Sequence, residues 1–189
     1  MNLFHRWYCN SNNWAESVKK YMLPWVLDDV DLGDSVLEIG PGPGRTTEWL
    51  KERTPQLTAI EVDHKLAEKL KRLADGKVRI VEGDATNMSL PDNAFSSAVC
   101  FTMLHHVPSP ALQDKLIGEA FRVLRPGGLF TGSDSTPSFR WRVYHIMDTC
   151  VAVDPSRFEA RLQKVGFVAT QVEALPQYHT FKFSARKPS

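Results

Sequence analysis

The sequence predicts an α/β fold in which a mostly parallel sheet is covered by helices on both faces. Short apolar segments typical of buried strands alternate along the chain with longer segments that carry apolar residues at three- and four-residue spacings. Strands that alternate with helices favour parallel pairing through right-handed crossovers. The segment 180–186 alternates polar with apolar residues, as an edge or antiparallel strand does, so we expect a strand pair to close the sheet near the C-terminus.

The elements can be placed in order along the chain. An amphipathic helix is expected within residues 11–30, where Pro24 should kink or divide it. The glycine-rich run 126–128 is expected to stop the helix before it. Residues 139–155 are the least regular and predict a helix followed by a loop. Strands are predicted at 35–39, 57–62, 78–81, 94–102 and 129–132, and the other helices at 46–53, 66–73, 112–124 and 158–165.

Length and composition are those of one globular domain, and we expect residues 1–189 to form it. Of the 189 residues, 42% are hydrophobic and 24% are charged. Lys and Arg number 23 against 22 for Asp and Glu, so the net charge of +1 gives no sign of a general nucleic-acid binder. Three scattered cysteines indicate free thiols. Without a signal-like segment or an apolar run near the roughly 20 residues of a membrane helix, we expect a cytoplasmic protein.

A glycine loop, Gly40-Pro41-Gly42-Pro43-Gly44, follows the first strand. Parallel sheets bind ligands at the carboxyl ends of their strands, so the loops after residues 39, 62, 82, 102 and 133 are the candidates for a site. Glycines at alternate positions let the backbone turn sharply and let a ligand approach the main chain. The two prolines have no N–H to donate and no G-K-[ST] follows, which excludes a phosphate-binding loop. The loop therefore suits a closely packed ligand without phosphates.

Acidic residues stand at the ends of the second and third strands. Glu61 ends the apolar part of the second strand, about where a carboxylate accepts hydrogen bonds from both hydroxyls of a ribose. Asp84 follows the third strand, where a carboxylate can accept from an exocyclic amine such as that of adenine. The glycine loop, the diol acceptor and the amine acceptor together indicate an adenosine without phosphates.

These segments resemble the motifs of class I S-adenosylmethionine-dependent methyltransferases. Residues 36–44 look like the first motif, Glu61 is similar to the ribose-binding acid, and residues 83–85 are similar to the adenine-side motif. Residues 91–95, 103–107 and 124–129 resemble the later motifs in order and spacing. The match runs from about residue 30 to 133 and the motifs stand in register, which makes the resemblance specific.

The resemblance implies a doubly wound, Rossmann-like fold of seven strands with the last one antiparallel. It also implies S-adenosylmethionine as methyl donor, S-adenosylhomocysteine as product, and no metal. Glu38 would support the loop near the amino-acid end of the donor, and Glu61 would hold the ribose. Asp84 and Ala85 would flank the adenine, and Phe101 would lie beside the donor. The implied cofactor-binding residues are Glu38, Gly40, Gly42, Gly44, Glu61, Asp84, Ala85 and Phe101.

The subfamily is indicated by the segment after the fourth strand. Residues 60–70 also resemble the second motif of rRNA adenine dimethylases, but those enzymes carry an N-x-P-[YF]-type motif after strand four. This chain has Cys-Phe-Thr-Met-Leu-His-His at 100–106, which resembles small-molecule methyltransferases. We therefore expect a small-molecule acceptor and no nucleic-acid or membrane partner. One departure from the family is Ser96, where an acid is usual, and it should weaken a support contact without touching the donor site.

The catalytic candidates are His105, His106 and Asp134. Methyl transfer is an in-line displacement that needs alignment, and it needs a base only if the acceptor must lose a proton. The two histidines follow strand four, close to where the methyl group should emerge, and Asp134 follows strand five. Each could instead have a structural role, with the histidines orienting a loop and Asp134 capping one.

The acceptor is expected to lie under the parts of the chain outside the donor core. We divide the chain into an N-terminal helical lid at 1–30, a donor-binding core at 31–133, and an acceptor-side cover with the strand pair at 134–189. Trp14 is one candidate for this cover, although packing in the core is favoured for Trp14 and for Trp25. A nucleic-acid methyltransferase and a protein that binds the donor without catalysis remain alternatives, and the oligomeric state is open. Aromatic or imidazole candidates for the cover are Phe4, His5, Trp7, Tyr8, Trp141, Tyr144, His145, Tyr178 and His179.

Overall fold

A seven-stranded sheet lies at the centre of residues 11–144 and 148–189, the part of the chain that the computed structural model describes. Its strands run in the order β3-β2-β1-β4-β5-β7-β6, with β1 to β5 parallel and β7 antiparallel to both of its neighbours. This confirms the predicted fold class, including the antiparallel last strand. The strands are β1 (Ser35–Ile39), β2 (Gln56–Glu61), β3 (Val78–Glu82), β4 (Phe95–Phe101), β5 (Leu124–Ser135), β6 (Val168–Leu175) and β7 (Thr180–Arg186).

Helices connect the strands and begin at capping residues. Ser11, Asp63, Ser109 and Asp154 each accept a hydrogen bond from a backbone N–H two or three residues further on, as N-cap side chains do. None of the helices in the described residues is long and apolar enough to cross a membrane. The helices are α1 (Asn12–Ser17), α2 (Leu23–Leu27), α3 (Arg45–Leu50), α4 (His64–Leu73), α5 (Pro110–Val123), α6 (Phe139–Tyr144) and α7 (Pro155–Val165).

The N-terminal helical segment is divided just before Pro24, as the sequence predicted. A π-helical turn, Val18–Met22, separates α1 from α2, and the N–H of Leu23 reaches back to the carbonyl of Val18. Proline has no N–H and crowds the carbonyl four residues before it, so a wider turn relieves the helix at this point. The part of the predicted lid before residue 11, with Phe4, His5, Trp7 and Tyr8, lies outside the described residues.

Apolar residues form one core on each face of the sheet. Successive residues of β1 and β4 alternate between the two cores, so Val36 and Leu37 point to opposite faces. One core includes apolar residues of α5 and α7, and the other includes those of the N-terminal helical segment and α3. Both faces of the sheet are therefore covered, and its strand ends remain for binding.

The glycine-rich run after α5 differs from the prediction. The helix ends at Val123, and β5 begins at once and includes residues 124–135, so the run lies inside the strand instead of stopping the helix. Phe95 pairs with Leu124 while Ser97 pairs with Leu129, which places a bulge in β5. Gly127 adopts a positive φ of 76° within this bulge, a conformation that glycine adopts without strain.

Candidate active site

A cavity of about 900 Å³ opens at the carboxyl ends of the parallel strands. Residues from the loops after β1, β2, β3, β4 and β5 all line it, as the sheet order requires and as the sequence predicted. Its volume is at the upper end of the roughly 300–1,000 Å³ range of small-ligand sites. The cavity can therefore hold more than one small molecule.

The glycine loop lies at the end of the cavity below β1 and β2. Gly40, Gly42 and Gly44 all have positive φ. A Cβ on Gly40 would lie 2.3 Å from Cγ of Met103, so only glycine fits there, whereas the space beside Gly42 is open. The N–H groups of Gly40 and Gly44 bond to backbone carbonyls, and the N–H of Gly42 donates to Oε2 of Glu61 at 3.0 Å. All three glycine N–H groups are thus engaged within the protein, which agrees with a ligand that has no phosphate.

Glu38 is buried under the glycine loop and does not line the cavity. The hydroxyls of Thr46 and Thr47, in the first turn of α3, donate to its two carboxylate oxygens, the second at 2.7 Å. Burial raises the pKa of Glu38 to about 7, against the opposing effect of the two hydroxyls. Glu38 therefore fixes the loop to α3, in line with the supporting role that the resemblance implied.

Glu61 lines the cavity at the end of β2. Besides the N–H of Gly42 it accepts the N–H of Asp63 at 2.9 Å, so two backbone donors hold its carboxylate in place. Burial raises the pKa of Glu61, and these hydrogen bonds oppose the rise. The carboxylate is thus fixed in orientation, with acceptor capacity left on both oxygens.

The other predicted donor residues are divided between the cavity wall and the support behind it. Asp84 and Ala85 line the cavity after β3, and one carboxylate oxygen of Asp84 accepts the N–H of Thr86 at 2.8 Å. Phe101 lines it at the end of β4. Gly44, like Glu38, lies behind the wall.

His105 and Asp134 form a buried pair beside the cavity. Nδ1 of His105 contacts Oδ1 of Asp134, and the backbone N–H of His105 donates to Oδ2 at 3.1 Å. The histidine lines the cavity and the aspartate is fully buried behind it. His106 also lines the cavity, with its ring 4.2 Å from that of His105. The structure therefore brings all three catalytic candidates together. Asp134 contacts His105, and His105 contacts His106.

The cavity lining also includes residues outside the donor loops, several of them aromatic, which we call the aromatic chamber. Its walls come from α1 and the π turn, the segment after β4, the segment after β5, and the turn before β7. Four candidates for the acceptor cover line this part of the cavity, namely Trp14, Trp141, Tyr178 and His179, and Trp14 also packs against the core. Tyr144 and His145 have no described side chain. The chamber residues are Trp14, Val18, Met22, His105, His106, Ser135, Thr136, Ser138, Trp141, Asp148, Thr149, Gln177, Tyr178 and His179.

Gln113 is a supporting residue that the sequence analysis did not identify. It is fully buried on α5, and its amide nitrogen donates to the carbonyls of Leu104 and Val151 at 3.1 and 2.9 Å. The N–H of Val151 in turn donates to the carbonyl of His105 at 2.7 Å. Gln113 thereby joins two walls of the chamber, and a polar residue inside a helix stripe gives no sequence signal for such a role.

Ser96 replaces the expected acid with a hydroxyl that still makes support contacts. Its Oγ accepts the N–H of Ser35 at 3.0 Å and lies 2.7 Å from the carbonyl oxygen of Leu32. A Cβ on Gly33 would come within 2.6 Å of Cβ of Ser96, so the turn before β1 is in close contact with β4. The start of β1 is therefore held without a carboxylate.

Within the described residues, one group has metal-ligand spacing. His64, Glu68 and Glu82 place one ligand atom each within 4.8 Å of one another at the start of α4. Nδ1 of His64 lies 2.9 Å from Oε2 of Glu82, and Nζ of Lys71 lies 2.8 Å from Oε1 of Glu68. The three side chains are therefore already engaged in contacts within the protein. The group lies outside the cavity lining.

The fold and the glycine loop are those of class I S-adenosylmethionine-dependent methyltransferases. The residues fit the donor, because a glycine loop with no donors for phosphate stands beside a fixed carboxylate at the end of β2. Residues 37–131 match a family model described as a methyltransferase domain. The chain belongs to this family.

Similar proteins act on different acceptors. The chain is 28% identical over 134 residues to ubiquinone biosynthesis O-methyltransferase of Pseudomonas fluorescens, and 42% identical over 72 residues to probable ribosomal RNA small subunit methyltransferase A of Methanospirillum hungatei. These matches cover 67% and 35% of the chain, and the chain spans 56% and 28% of the two relatives. A Thermotoga maritima structure, described as a SAM-dependent methyltransferase and possible histamine N-methyltransferase, matches with a TM-score of 0.76 at 18% identity, over 97% of both chains.

Proposed function

We propose that the protein transfers the methyl group of S-adenosylmethionine to a small-molecule acceptor. The observation that carries the proposal is that a single cavity of about 900 Å³ is lined both by the glycine loop and by aromatic side chains. A concave pocket with aromatic lining is typical of sites for small molecules, whereas a polymeric substrate is typically bound on a basic surface.

The donor would be held by residues at the ends of β1 to β4. Glu61 accepts hydrogen bonds from the ribose hydroxyls, while Asp84 and Ala85 border the adenine and Phe101 lies beside the donor. Gly40 and Gly42 let the donor approach the main chain, with Gly44 and Glu38 holding the loop from behind. Bound S-adenosylmethionine supplies an electrophilic methyl group on its sulfonium. The chain's own task is then to align the acceptor and to exclude water.

His105 is the general base in this proposal. Its Nδ1 contacts the Asp134 carboxylate, which favours the tautomer that carries the ring proton on Nδ1. Asp134 is then a positioning residue that fixes the tautomer and orientation of the imidazole, and His106 borders the acceptor beside it.

A nucleic-acid methyltransferase is the second candidate, favoured by the 42% identity over 72 residues to the relative described as a probable ribosomal RNA methyltransferase. A protein that binds the donor without catalysis is the third. Each predicts a different fate for a labelled methyl group.

The experiment is a labelling assay with methyl-tritiated S-adenosylmethionine and lysate of the source cells. The lysate is separated by ultrafiltration into low-molecular-weight and macromolecular fractions before incubation with the purified protein. We expect a labelled product in the low-molecular-weight fraction that separates from the labelled donor by chromatography, and its loss with the Glu61→Ala variant. Label in nuclease-sensitive material would replace the proposal with the second candidate, and donor binding without transfer to either fraction would favour the third.

A further inference from the structure

We propose that Glu119 and Arg122 are positioning residues for donor binding, and that through them α5 sets the pocket for the adenine of S-adenosylmethionine. We call these two residues the ion-pair clamp. The inference rests on the proposed function, in which Asp84 and Ala85 border the adenine. It is carried by a network of charge-assisted hydrogen bonds that joins the end of α5 to the segment after β3. Neither clamp residue lines the cavity.

The segment after β3 first borders the cavity and then leaves it. Residues 83–86 line the cavity, and a turn follows in which the N–H of Asn87 donates to the carbonyl of Asp84 at 3.0 Å. Residues 83–94 form neither helix nor strand, and β4 begins at Phe95. No ladder of backbone hydrogen bonds therefore fixes the residues beside the adenine, and their position depends on how the residues after them are held.

Arg122 holds this segment from the last turn of α5. Its Nη1 donates to the carbonyl of Leu90 at 2.8 Å and to Oδ1 of Asp92 at 2.5 Å, while Nη2 donates to the carbonyl of Met88 at 3.0 Å. One side chain therefore spans the segment from residue 88 to residue 92. A guanidinium presents its N–H donors in a rigid fork that reaches several acceptors at once, which the ammonium of a lysine cannot do.

Glu119, one turn before Arg122, completes the clamp. Its carboxylate accepts from Nε and Nη2 of Arg122, both at 2.8 Å, and Oε2 also accepts the backbone N–H of Met88 at 2.6 Å. The guanidinium lowers the pKa of Glu119, so the pair is charged at neutral pH. Both backbone polar groups of Met88 are therefore bonded to one bidentate ion pair, which is stronger and more directional than neutral hydrogen bonds.

The helix that carries the clamp also lines the cavity. Leu112 and Leu116 lie in the cavity lining, and Glu119 follows on the same face, because residues three and four apart are neighbours on a helix. Met88 stands two positions after Thr86, the last residue of the segment in the cavity lining. The same helix thus contributes to the wall of the cavity and holds the segment that borders the adenine.

Loss of the clamp should change donor affinity and the choice of base, and should leave the transfer step alone. Residues 83–86 border the adenine in the proposed function, whereas the transferred methyl group is on the sulfonium, beyond the ribose. A looser segment therefore raises the KM for the donor, while kcat at saturating donor stays the same. A general loss of stability would not change the preference between two bases, so that preference separates positioning from a purely structural role.

The test compares S-adenosylhomocysteine with S-inosylhomocysteine, which carries an oxygen in place of the adenine amine. Calorimetric titration should show that the unmodified protein prefers the adenine ligand by about tenfold or more, because the Asp84 carboxylate can accept from the amine and not from the oxygen. Arg122→Lys keeps the charge but loses the fork, and it should weaken S-adenosylhomocysteine binding about tenfold and lower the preference below about threefold. Glu119→Gln should act in the same direction by less. At saturating donor, the labelling assay should give turnover within about twofold of the unmodified protein.

Lys187→Met is the matched control. Nζ of Lys187 bonds the carbonyls of Arg122 and Leu124 at the same end of α5, and its third partner, Asn93, follows the clamped residues. This variant should lower the urea midpoint and keep the preference for adenine.

Four results would overturn the inference: an unchanged preference in folded Arg122→Lys and Glu119→Gln, an equal loss of preference in Lys187→Met, a loss of turnover at saturating donor as large as the loss of affinity, or equal binding of both ligands by the unmodified protein. Tight binding of S-adenosylhomocysteine by the unmodified protein would still support the proposed donor in each case. Unmodified protein that binds neither ligand would overturn the proposed function as well, so the two failures are distinguishable.

Discussion

Glu38 makes the stability of the protein depend on pH in a direction that can be worked out from its environment. Its pKa is raised by burial from 4.5 to about 7, so between these values the folded protein holds a proton that the unfolded chain has lost. The free energy of unfolding therefore falls as the pH rises from about 4.5 to about 7. Above pH 7 it stays at this lower value, as far as Glu38 is concerned. At 1.36 kcal/mol per pKa unit, the loss is about 3 kcal/mol.

Replacing Glu38 by Gln removes this titration while keeping the shape of the side chain. The amide oxygen can still accept from one of the hydroxyls of Thr46 and Thr47. The free energy of unfolding of Glu38→Gln, minus that of the unmodified protein, should increase by about 3 kcal/mol as the pH rises across the window. Urea unfolding at closely spaced pH values measures it, and Glu48→Gln, in the same helix but exposed, reports the effect of removing a surface charge. If the free energies of unfolding of the unmodified protein and of Glu38→Gln changed in parallel with pH, the reasoning would be refuted.

Further predictions concern packing and the chamber walls. Gly132→Ala should lower the free energy of unfolding by about 3 kcal/mol, because its Cβ would lie 1.9 Å from the Cys100 carbonyl oxygen; Gly118→Ala, with open space at its Cβ in α5, should raise it by up to about 1 kcal/mol. Urea unfolding midpoints that shift equally in the two variants would contradict this. Gln113→Leu should lower the free energy of unfolding by about 1–3 kcal/mol, because the carbonyls of Leu104 and Val151 each lose its amide donor and Arg161 loses its Oε1 acceptor, and it should slow methyl transfer with little change in donor affinity. A Gln113→Leu protein with unaltered urea midpoint and turnover would show that the two walls do not depend on this side chain.

The parts of the fold that could be predicted are those where a local pattern decides the structure. The run Ser35–Ile39 is wholly apolar except for Glu38 and its first residue, and a glycine loop follows, so both ends of β1 could be placed. The bulge in β5 could not be predicted. A Pro-Gly-Gly run ends a helix or interrupts a strand equally well, and pairing with β4 decides between them.

The positions of the residues proposed to bind the donor could also be predicted, because these residues stand at strand ends that meet at one edge of a parallel sheet. The chamber could be predicted only in part. His105 and Asp134 were both candidates, but their contact joins residues 29 positions apart and depends on the pairing of β4 with β5. Packing in the core was favoured for Trp14 because aromatic residues at helical spacing usually pack there, and the structure places it both against the core and in the cavity lining.

The central claim is that the cavity binds S-adenosylmethionine through Glu61, and calorimetric titration with S-adenosylmethionine and S-adenosylhomocysteine tests it most directly. We expect dissociation constants on the order of micromolar. Glu61→Ala should weaken binding by 100-fold or more, because the ribose loses its charged acceptor and Gly42 and Asp63 lose theirs, at about 1.5–3 kcal/mol for each hydrogen bond to a charged group. Glu68→Gln, an acid outside the cavity lining, should bind as the unmodified protein does. Folded protein that binds neither ligand, or a Glu61→Ala variant that binds them equally well, would contradict the account.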